Sequence, residues 1–436
     1  MESASEQVAV PTERATRGNV LVAAAVGQLV EWYDFAVYGF SVPIIAHLFF
    51  PSQSKSAALM LVFAVYGVAF VMRPLGGLVF GVWGDKVGRQ RVLSVIILLV
   101  GASTAAIGAL PGYATIGVAA PILLTLCRLL QGFSAGGEAI GASSFVIESA
   151  PSHRRGVWIG FVIAMSVVPV IVAGQCVGLL SQVMSASGFE SWGWRIPFLI
   201  SLPLSIVGLY IRLATEDGQG FITAKSSGQL SAAPIRDSLT RDMRSVMFVF
   251  VLAGLTSLAY YMLAGYFYTF LQVTVGLPKS EALTANTVGM LVTVVGFPVC
   301  GWLSDIIGRK PMVLIGSSLL ALAGIPAFAV AAHGGFTSAL LAQFLLGLSI
   351  SVFGGGAYVA MVELFPATTR FTGGAIGYNA AYAAFGGTAP LMGSFLVAKT
   401  GYPTAPGFYL TMVAIIALLV FFRMPETYRS NVGRST

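Results

Sequence analysis

The sequence predicts an all-α polytopic membrane protein: twelve transmembrane helices arranged as two six-helix bundles about a pseudo-two-fold axis. Three observations carry that expectation. Of 436 residues, 56% are hydrophobic and 9% charged, with a mean hydropathy of +0.85, whereas soluble domains carry about 25% charged residues. Apolar runs of spanning length, roughly 17–25 residues, recur twelve times along the chain. A short polar turn also occurs twice, 220 residues apart, which marks internal duplication. The runs lack the alternation of a barrel strand, so their backbone groups must be satisfied within helices.

A polar tail, residues 1–18, precedes the first run near 20–46. That run is too long for a cleaved signal peptide and lacks a convincing cleavage site. Runs near 57–83, 92–110, 115–149, 157–183 and 195–214 complete a first bundle over 19–214. The runs at 115–149 and 337–364 exceed one span, so their ends read as loop. Residues 215–243, with Glu216, Asp217 and a Ser/Gly/Ala stretch before Arg236 to Asp242, read as a cytoplasmic linker. Runs near 244–274, 283–303, 311–332, 337–364, 371–398 and 405–423 form the second bundle, 244–424, and residues 425–436 a second tail.

Charge sets the predicted orientation. Eighteen Lys and Arg fall on the side that carries both termini, against Lys55, Lys279 and Lys399 on the other. This positive-inside bias places both termini in the cytoplasm. It also accounts for the net charge of +7, so no nucleic-acid partner is inferred. Cys127, Cys176 and Cys300 are scattered through apolar runs without metal or disulfide spacing, and no cofactor or metal is expected.

The duplicated turn runs Gly81-Val82-Trp83-Gly84-Asp85-Lys86-Val87-Gly88-Arg89 and again Gly301-Trp302-Leu303-Ser304-Asp305-Ile306-Ile307-Gly308-Arg309. A second pair supports the repeat: Glu148-Ser149-Ala150-Pro151 with Arg155 is matched by Glu363-Leu364-Phe365-Pro366 with Arg370, offset by 215. Asp85, Arg89, Asp305 and Arg309 lie at the membrane surface, and Gly88 and Gly308 permit the tight turn. Glu148, Arg155, Glu363 and Arg370 can pair with these turns and latch the cytoplasmic face, a gating role.

Charges within spans need a reason, because each costs about 2.5–3.5 kcal/mol to insert. Glu31 and Asp34 are three apart and share a helix face; paired carboxylates facing an aqueous cavity titrate, and pairs locked onto arginines do not. Arg73 lies near mid-membrane, and its guanidinium can grip a carboxylate with two hydrogen bonds. Tyr66, seven residues earlier, falls on the same face. Arg128 and Glu138 share a glycine-rich span in which a moving cation could load or release a proton. Arg195 opens span 6 between Trp192, Trp194 and the bilayer interface, where it can snorkel to headgroups or turn inward.

The duplicated Gly-x-x-x-Asp-x-x-Gly-Arg turn resembles the signature of the major facilitator superfamily. Within it, Glu31-Trp32-Tyr33-Asp34-Phe35, Met72-Arg73-Pro74-Leu75-Gly76-Gly77, the Arg128 to Ser134 string with Gly137-Glu138, and Trp192 to Phe198 resemble the metabolite:proton symporter family. The resemblance covers about residues 19 to 425. It implies two bundles rocking about a central site and use of the proton gradient to move organic acids or zwitterionic osmolytes. It further implies that Arg73 contacts the transported carboxylate, with Arg195 as a second clamp. Tyr33 and Tyr66 complete the candidate substrate set, and Glu31, Asp34, Arg128 and Glu138 the candidate proton-coupling set.

Adding 220 to Arg73 lands on Thr293, and the second half holds no mid-span arginine. Its inventory is neutral: Tyr260, Tyr261, Tyr266, Tyr268, Gln272, Asn286, Gln343, Tyr358, Asn379 and Tyr382. The expected function is therefore proton-coupled symport of a small carboxylate-bearing metabolite by alternating access, by a monomer in lipid at the bacterial inner membrane. The alternative is a zwitterionic osmolyte such as betaine or proline. Osmolyte-type relatives can carry a long soluble C-terminal extension, whereas 13 residues follow Arg423 here. An ATP-driven pump would need a phosphate-cradling Gly-x-x-x-x-Gly-Lys-Ser/Thr loop, which the sequence lacks. His and Cys are too sparse to suggest an enzyme.

Overall fold

The computed structural model describes residues 13–51, 54–87, 89–136, 146–147, 150–213, 240–365 and 370–428. Among these, twelve helical passes follow in order: α1 (Glu13–Phe49), α2 (Lys55–Val87), α3 (Arg89–Ala109), α4 (Ala119–Ala135), α5 (Arg155–Val183), α6 (Arg195–Leu213), α7 (Met243–Val275), α8 (Lys279–Ile307), α9 (Arg309–Ala332), α10 (Phe336–Glu363), α11 (Arg370–Ala381, resuming as Ala389–Thr400) and α12 (Ala405–Phe421). Eight stretches are long and apolar enough to span a bilayer, and three shorter apolar helices join them.

The helices are apolar all round, as membrane passes must be, so their packing is set by small residues and local backbone departures more than by amphipathic stripes. π-helical turns interrupt α7 at Met262–Tyr266 and Leu271–Val275, and α11 at Tyr382–Gly386. A π turn inserts one residue and re-aims the side chains beside it. The first π turn of α7 ends on Tyr266, and that of α11 opens on Tyr382.

Helices α1, α2, α3, α4 and α6 pack among themselves, as do α7, α9, α10, α11 and α12. Among the described residues, two seams carry most of the contact between the halves. One is α5 against α8, the other α2 against the outer part of α11. Advancing each member by six helices turns the first seam into the second, as a pseudo-two-fold requires. Both seams use glycine to bring backbones together. A Cβ on Gly67 would stand 2.7 Å from the Gly387 carbonyl oxygen, and Gly156 and Gly301 leave no room for one across the α5–α8 crossing.

Candidate central site and motif-face latch

The mid-membrane charges collect where α1, α2, α3, α4 and α6 meet. α4 lies so close on α2 that Gly132 and Gly136 press against the carbonyls of Ala69 and Arg73. That approach drives Arg128 into the bundle, where it is fully buried. Its Nη1 donates to Gln131 Oε1 (2.7 Å) and its Nη2 to the Tyr66 carbonyl (3.2 Å). The guanidinium also lies over three rings, Tyr38 at 4.4 Å, Tyr66 at 4.9 Å and Phe35 at 5.1 Å. The Gln131 amide donates onward to the Thr104 hydroxyl. Thr104, Ser201 and Arg128 in turn surround the carboxylate of Asp34. Asp34 is buried, and its Oδ2 has no hydrogen-bond partner.

Arg73, also buried, sits lower on α2. Its guanidinium lies 5.8 Å from the Phe35 ring, 5.6 Å from Phe70 and 5.6 Å from Tyr382. Tyr382 belongs to the second half, so this cation is enclosed from both sides. The enclosure extends through Tyr261, whose ring meets Trp32 (6.3 Å), Tyr66 (6.2 Å), Phe70 (5.1 Å) and Tyr382 (6.1 Å). Tyr378 stacks on Tyr382 at 4.0 Å.

Several polar atoms of these rings and beside them are buried without a partner: the hydroxyls of Tyr260 and Tyr261 and Oδ1 of Asn379. Folded proteins leave few such groups bare, because each costs about 1–3 kcal/mol. A central site lined by them, two arginines and aromatic faces is chemically suited to a small carboxylate with an apolar or cationic body.

A second ionic cluster lies at the face bearing the duplicated turns. Gly308, at φ +104°, makes the α8–α9 turn in a backbone region that favours glycine. Asp305, at the end of α8, accepts hydrogen bonds from the backbone N–H groups of Gly156 (2.8 Å) and Val157 (3.0 Å) in the first turn of α5. A carboxylate there satisfies two orphan donors and meets the positive end of the helix dipole. Arg309 Nη1 donates to Asp305 (2.8 Å) and its Nε to Glu363 (3.2 Å). Arg155, from the first half, lies 3.8 Å from Glu363. The chain after α12 closes the cluster: Thr427 donates to Glu363 (2.9 Å), and Glu426 accepts from the backbone of Arg309 and Lys310.

Of the predicted substrate residues, Arg73 and Tyr66 line the aromatic enclosure, with the Tyr66 ring set against Arg128. Tyr33 and Arg195 do not join it. The Tyr33 hydroxyl donates to the Pro197 carbonyl (3.0 Å), which ties α1 to α6. Arg195 faces away from the centre, donating to the carbonyls of Gly108 (2.7 Å) and Leu110 (2.6 Å) at the end of α3 and stacking on Trp194 (4.7 Å). Four last-turn carbonyls of any helix lack partners, and a cation is the natural cap for them. Trp194 is fully buried rather than interfacial, whereas Trp192 is exposed. Among the proton-coupling candidates, Asp34 and Arg128 share one network. Glu138 lies outside the described residues, as does the Glu31 side chain, although α1 carries its backbone. Among the gating candidates, Asp305, Gly308, Arg309, Glu363 and Arg155 come together. Gly88 and Glu148 lie outside the described residues, as do the side chains of Asp85, Arg89 and Arg370.

Sequence reasoning missed Tyr38 and Phe70, which helical spacing from Asp34 and Arg73 could have flagged, and Phe35, which lies one turn after Glu31. It also missed Thr104, Gln131, Ser201, Glu426 and Thr427. Lone neutral residues in an apolar run, and an acid just past the last span, carry no periodic signal.

Comparison with known proteins bears on this geometry. The sugar (and other) transporter family model matches residues 20–237 and the major facilitator superfamily model residues 249–435. The chain is 35% identical over 422 residues to the proline/betaine transporter of Salmonella typhimurium, covering 93% of this chain and 83% of that one. It is 34% identical over 431 residues to the glycine betaine/proline/ectoine/pipecolic acid transporter OusA of Dickeya dadantii, covering 95% and 85%. Its fold matches a D-xylose–proton symporter with a TM-score of 0.75 at 20% identity, over 94% of this chain and 98% of that one. It also matches the partially occluded inward-open xylose transporter XylE of E. coli, with a TM-score of 0.71 at 18% identity, over 97% and 100%. The twelve passes, the exchangeable pair of seams and these likenesses agree: the chain belongs to the major facilitator superfamily of membrane transporters and, within it, to the metabolite:proton symporter family.

Proposed function

We propose that this protein takes up a zwitterionic osmolyte of the betaine or proline type by proton-coupled symport across the bacterial inner membrane, with both termini cytoplasmic. The observation that carries the reading is the buried Arg73 guanidinium, set among Phe35, Phe70 and the cross-half Tyr382, with Tyr261 and Trp32 beside it. A zwitterion has two ends, and this arrangement has a chemistry for each. The carboxylate pairs with the arginine. The substituted ammonium faces aromatic rings, an interaction of about 2 kcal/mol or more once desolvated. An organic anion would use the first feature and leave the second idle, so the osmolyte takes precedence over the organic acid. Relatives named as proline and betaine transporters, near 35% identity over most of both chains, support the same choice.

Proton coupling falls to Asp34 and Arg128. The carboxylate sits buried with one oxygen unpaired, and the cation beside it is tied to α2 through the Tyr66 carbonyl. Movement of α2 against α4 would change the distance between cation and carboxylate, and with it the proton's affinity. The latch residues Asp305, Arg309, Glu363 and Arg155 hold the motif-bearing face closed in one half of the cycle and release it in the other.

The test is uptake of labelled glycine betaine and proline into proteoliposomes under an outside-acid gradient. Accumulation that collapses with a protonophore is expected. Uptake indifferent to the gradient would overturn proton coupling, and uptake of dicarboxylates with none of either zwitterion would overturn the substrate class.

A further inference from the structure

We infer that Asn379 reads the nitrogen end of the substrate, and that its side-chain oxygen selects zwitterions whose ammonium still carries an N–H over fully methylated ones. This rests on the zwitterion reading above and adds a selectivity to it. Asn379 is on α11, one turn before Tyr382, the ring that faces the Arg73 guanidinium. Its amide reaches across to α2, where a Cβ built on Gly77 would lie 3.8 Å from Nδ2. Gly77 is itself one helical turn beyond Arg73 and shares its face. Asn379 therefore lies on the second-half wall of the site, one turn along from the arginine. The side chain is 4% exposed, and its Oδ1 has no hydrogen-bond partner.

A buried amide oxygen is an acceptor only. The rest of the nitrogen end is ring faces, which attract a cation whatever its substituents. Rings alone would not distinguish a secondary ammonium from a quaternary one, because both present a diffuse positive charge. The amide oxygen does. It accepts from an N–H of a proline-like substrate, and meets only methyl groups on a betaine. A hydrogen bond to a charged group corresponds to about a ten- to hundredfold change in affinity. With Nδ2 turned to Gly77, the atom left open to a ligand is the acceptor Oδ1.

The experiment measures dissociation constants of proline, N-methylproline and N,N-dimethylproline for the purified full-length protein and for Asn379→Ala. The wild type should bind the two N–H-bearing compounds at least about tenfold more tightly than the dimethylated one. Asn379→Ala should lose that preference while keeping its affinity for N,N-dimethylproline. Asn379→Ser, which keeps a shorter acceptor, should give an intermediate preference, and serves if the alanine variant does not fold. Three outcomes overturn the assignment: no wild-type preference, a preference that survives in both variants, or an equal loss of all three ligands in a folded variant. A wild type that binds neither these three nor glycine betaine overturns the zwitterion reading itself, whereas one that binds glycine betaine and none of the three overturns only the Asn379 assignment.

Discussion

Replacing Asp305 by alanine tests whether the motif-face cluster is a latch between the halves. Asp305 belongs to the second half, and two of its hydrogen bonds reach the first turn of α5 in the first half, from Gly156 at 2.8 Å and Val157 at 3.0 Å. Hydrogen bonds to a charged acceptor contribute about 1.5–3 kcal/mol each. A charge at a partly buried helix N-terminus contributes up to about 2 kcal/mol. These describe overlapping electrostatics and do not add, so about 2–4 kcal/mol is the reasonable loss. Arg309 keeps Glu363 at 3.2 Å, so no bare buried cation inflates the figure. Because the two contacts exist only while the α5 and α8 ends meet, the loss falls on the closed state alone. The ratio of open to closed should shift about 30- to 700-fold. Spin labels at Arg154 and Ile306, both exposed near the crossing, would report it by pulsed electron resonance in nanodiscs. The short-distance population should largely vanish in Asp305→Ala and persist in part in Asp305→Asn, which keeps one acceptor. An unchanged distance distribution in the alanine variant would refute the latch.

Three further predictions follow from the same geometry. Arg73→Ala should weaken betaine binding by about a hundredfold or more, the worth of two charge-assisted hydrogen bonds, with the ligand-free melting temperature little changed; an intact Kd would remove Arg73 from the site. Arg195→Ala should do the reverse, lowering the melting temperature by uncapping α3 at Gly108 and Leu110 while leaving betaine affinity within about twofold; a large affinity loss would reinstate the clamp. Asp34→Asn should abolish accumulation driven by a pH gradient but preserve exchange of labelled for unlabelled substrate, and retention of gradient-driven accumulation would take proton coupling away from Asp34.

The sequence made the architecture legible because duplication and hydropathy are additive along the chain. Each of twelve apolar runs and both turn pairs testifies separately. Charged residues in spans were legible for the same reason that they are costly: Arg73, Arg128 and Asp34 stand out against an apolar background. What they touch was not. Arg195 carries the same charge and a similar flank, yet it caps α3, because its direction is set by how the preceding π turn at Phe189–Gly193 delivers it. Tyr33 adjoins Asp34 in sequence but points to Pro197, since neighbours on a helix diverge by about 100°. The pairing of Asn379 with α2 depends on the close contact of two helices some 300 residues apart, and no local pattern encodes it.

The division of chemistry between the halves has a physical reason in the proposed cycle. Charges in the first half sit in a network within that bundle: Arg128 on Gln131, Gln131 on Thr104, Thr104 and Ser201 around Asp34. None of those contacts crosses to the other half, so none need break when the bundles rock. Across the centre the halves meet mainly through rings, Trp32 on Tyr260 and Tyr261, Phe70 on Tyr261, Phe40 on Tyr268. Rings can part and rejoin without stripping water from a charge, whereas breaking a buried ion pair costs about 3–5 kcal/mol. The polar contacts that bind half to half among the described residues, the Asp305 carboxylate on the α5 backbone N–H groups and Arg155 beside Glu363, lie at the end of the helices that carries the duplicated turns. Water can solvate each partner there as they separate, which lowers the barrier to opening. A charge pair moved from that end to the centre should therefore slow the cycle even if it left both end states equally stable.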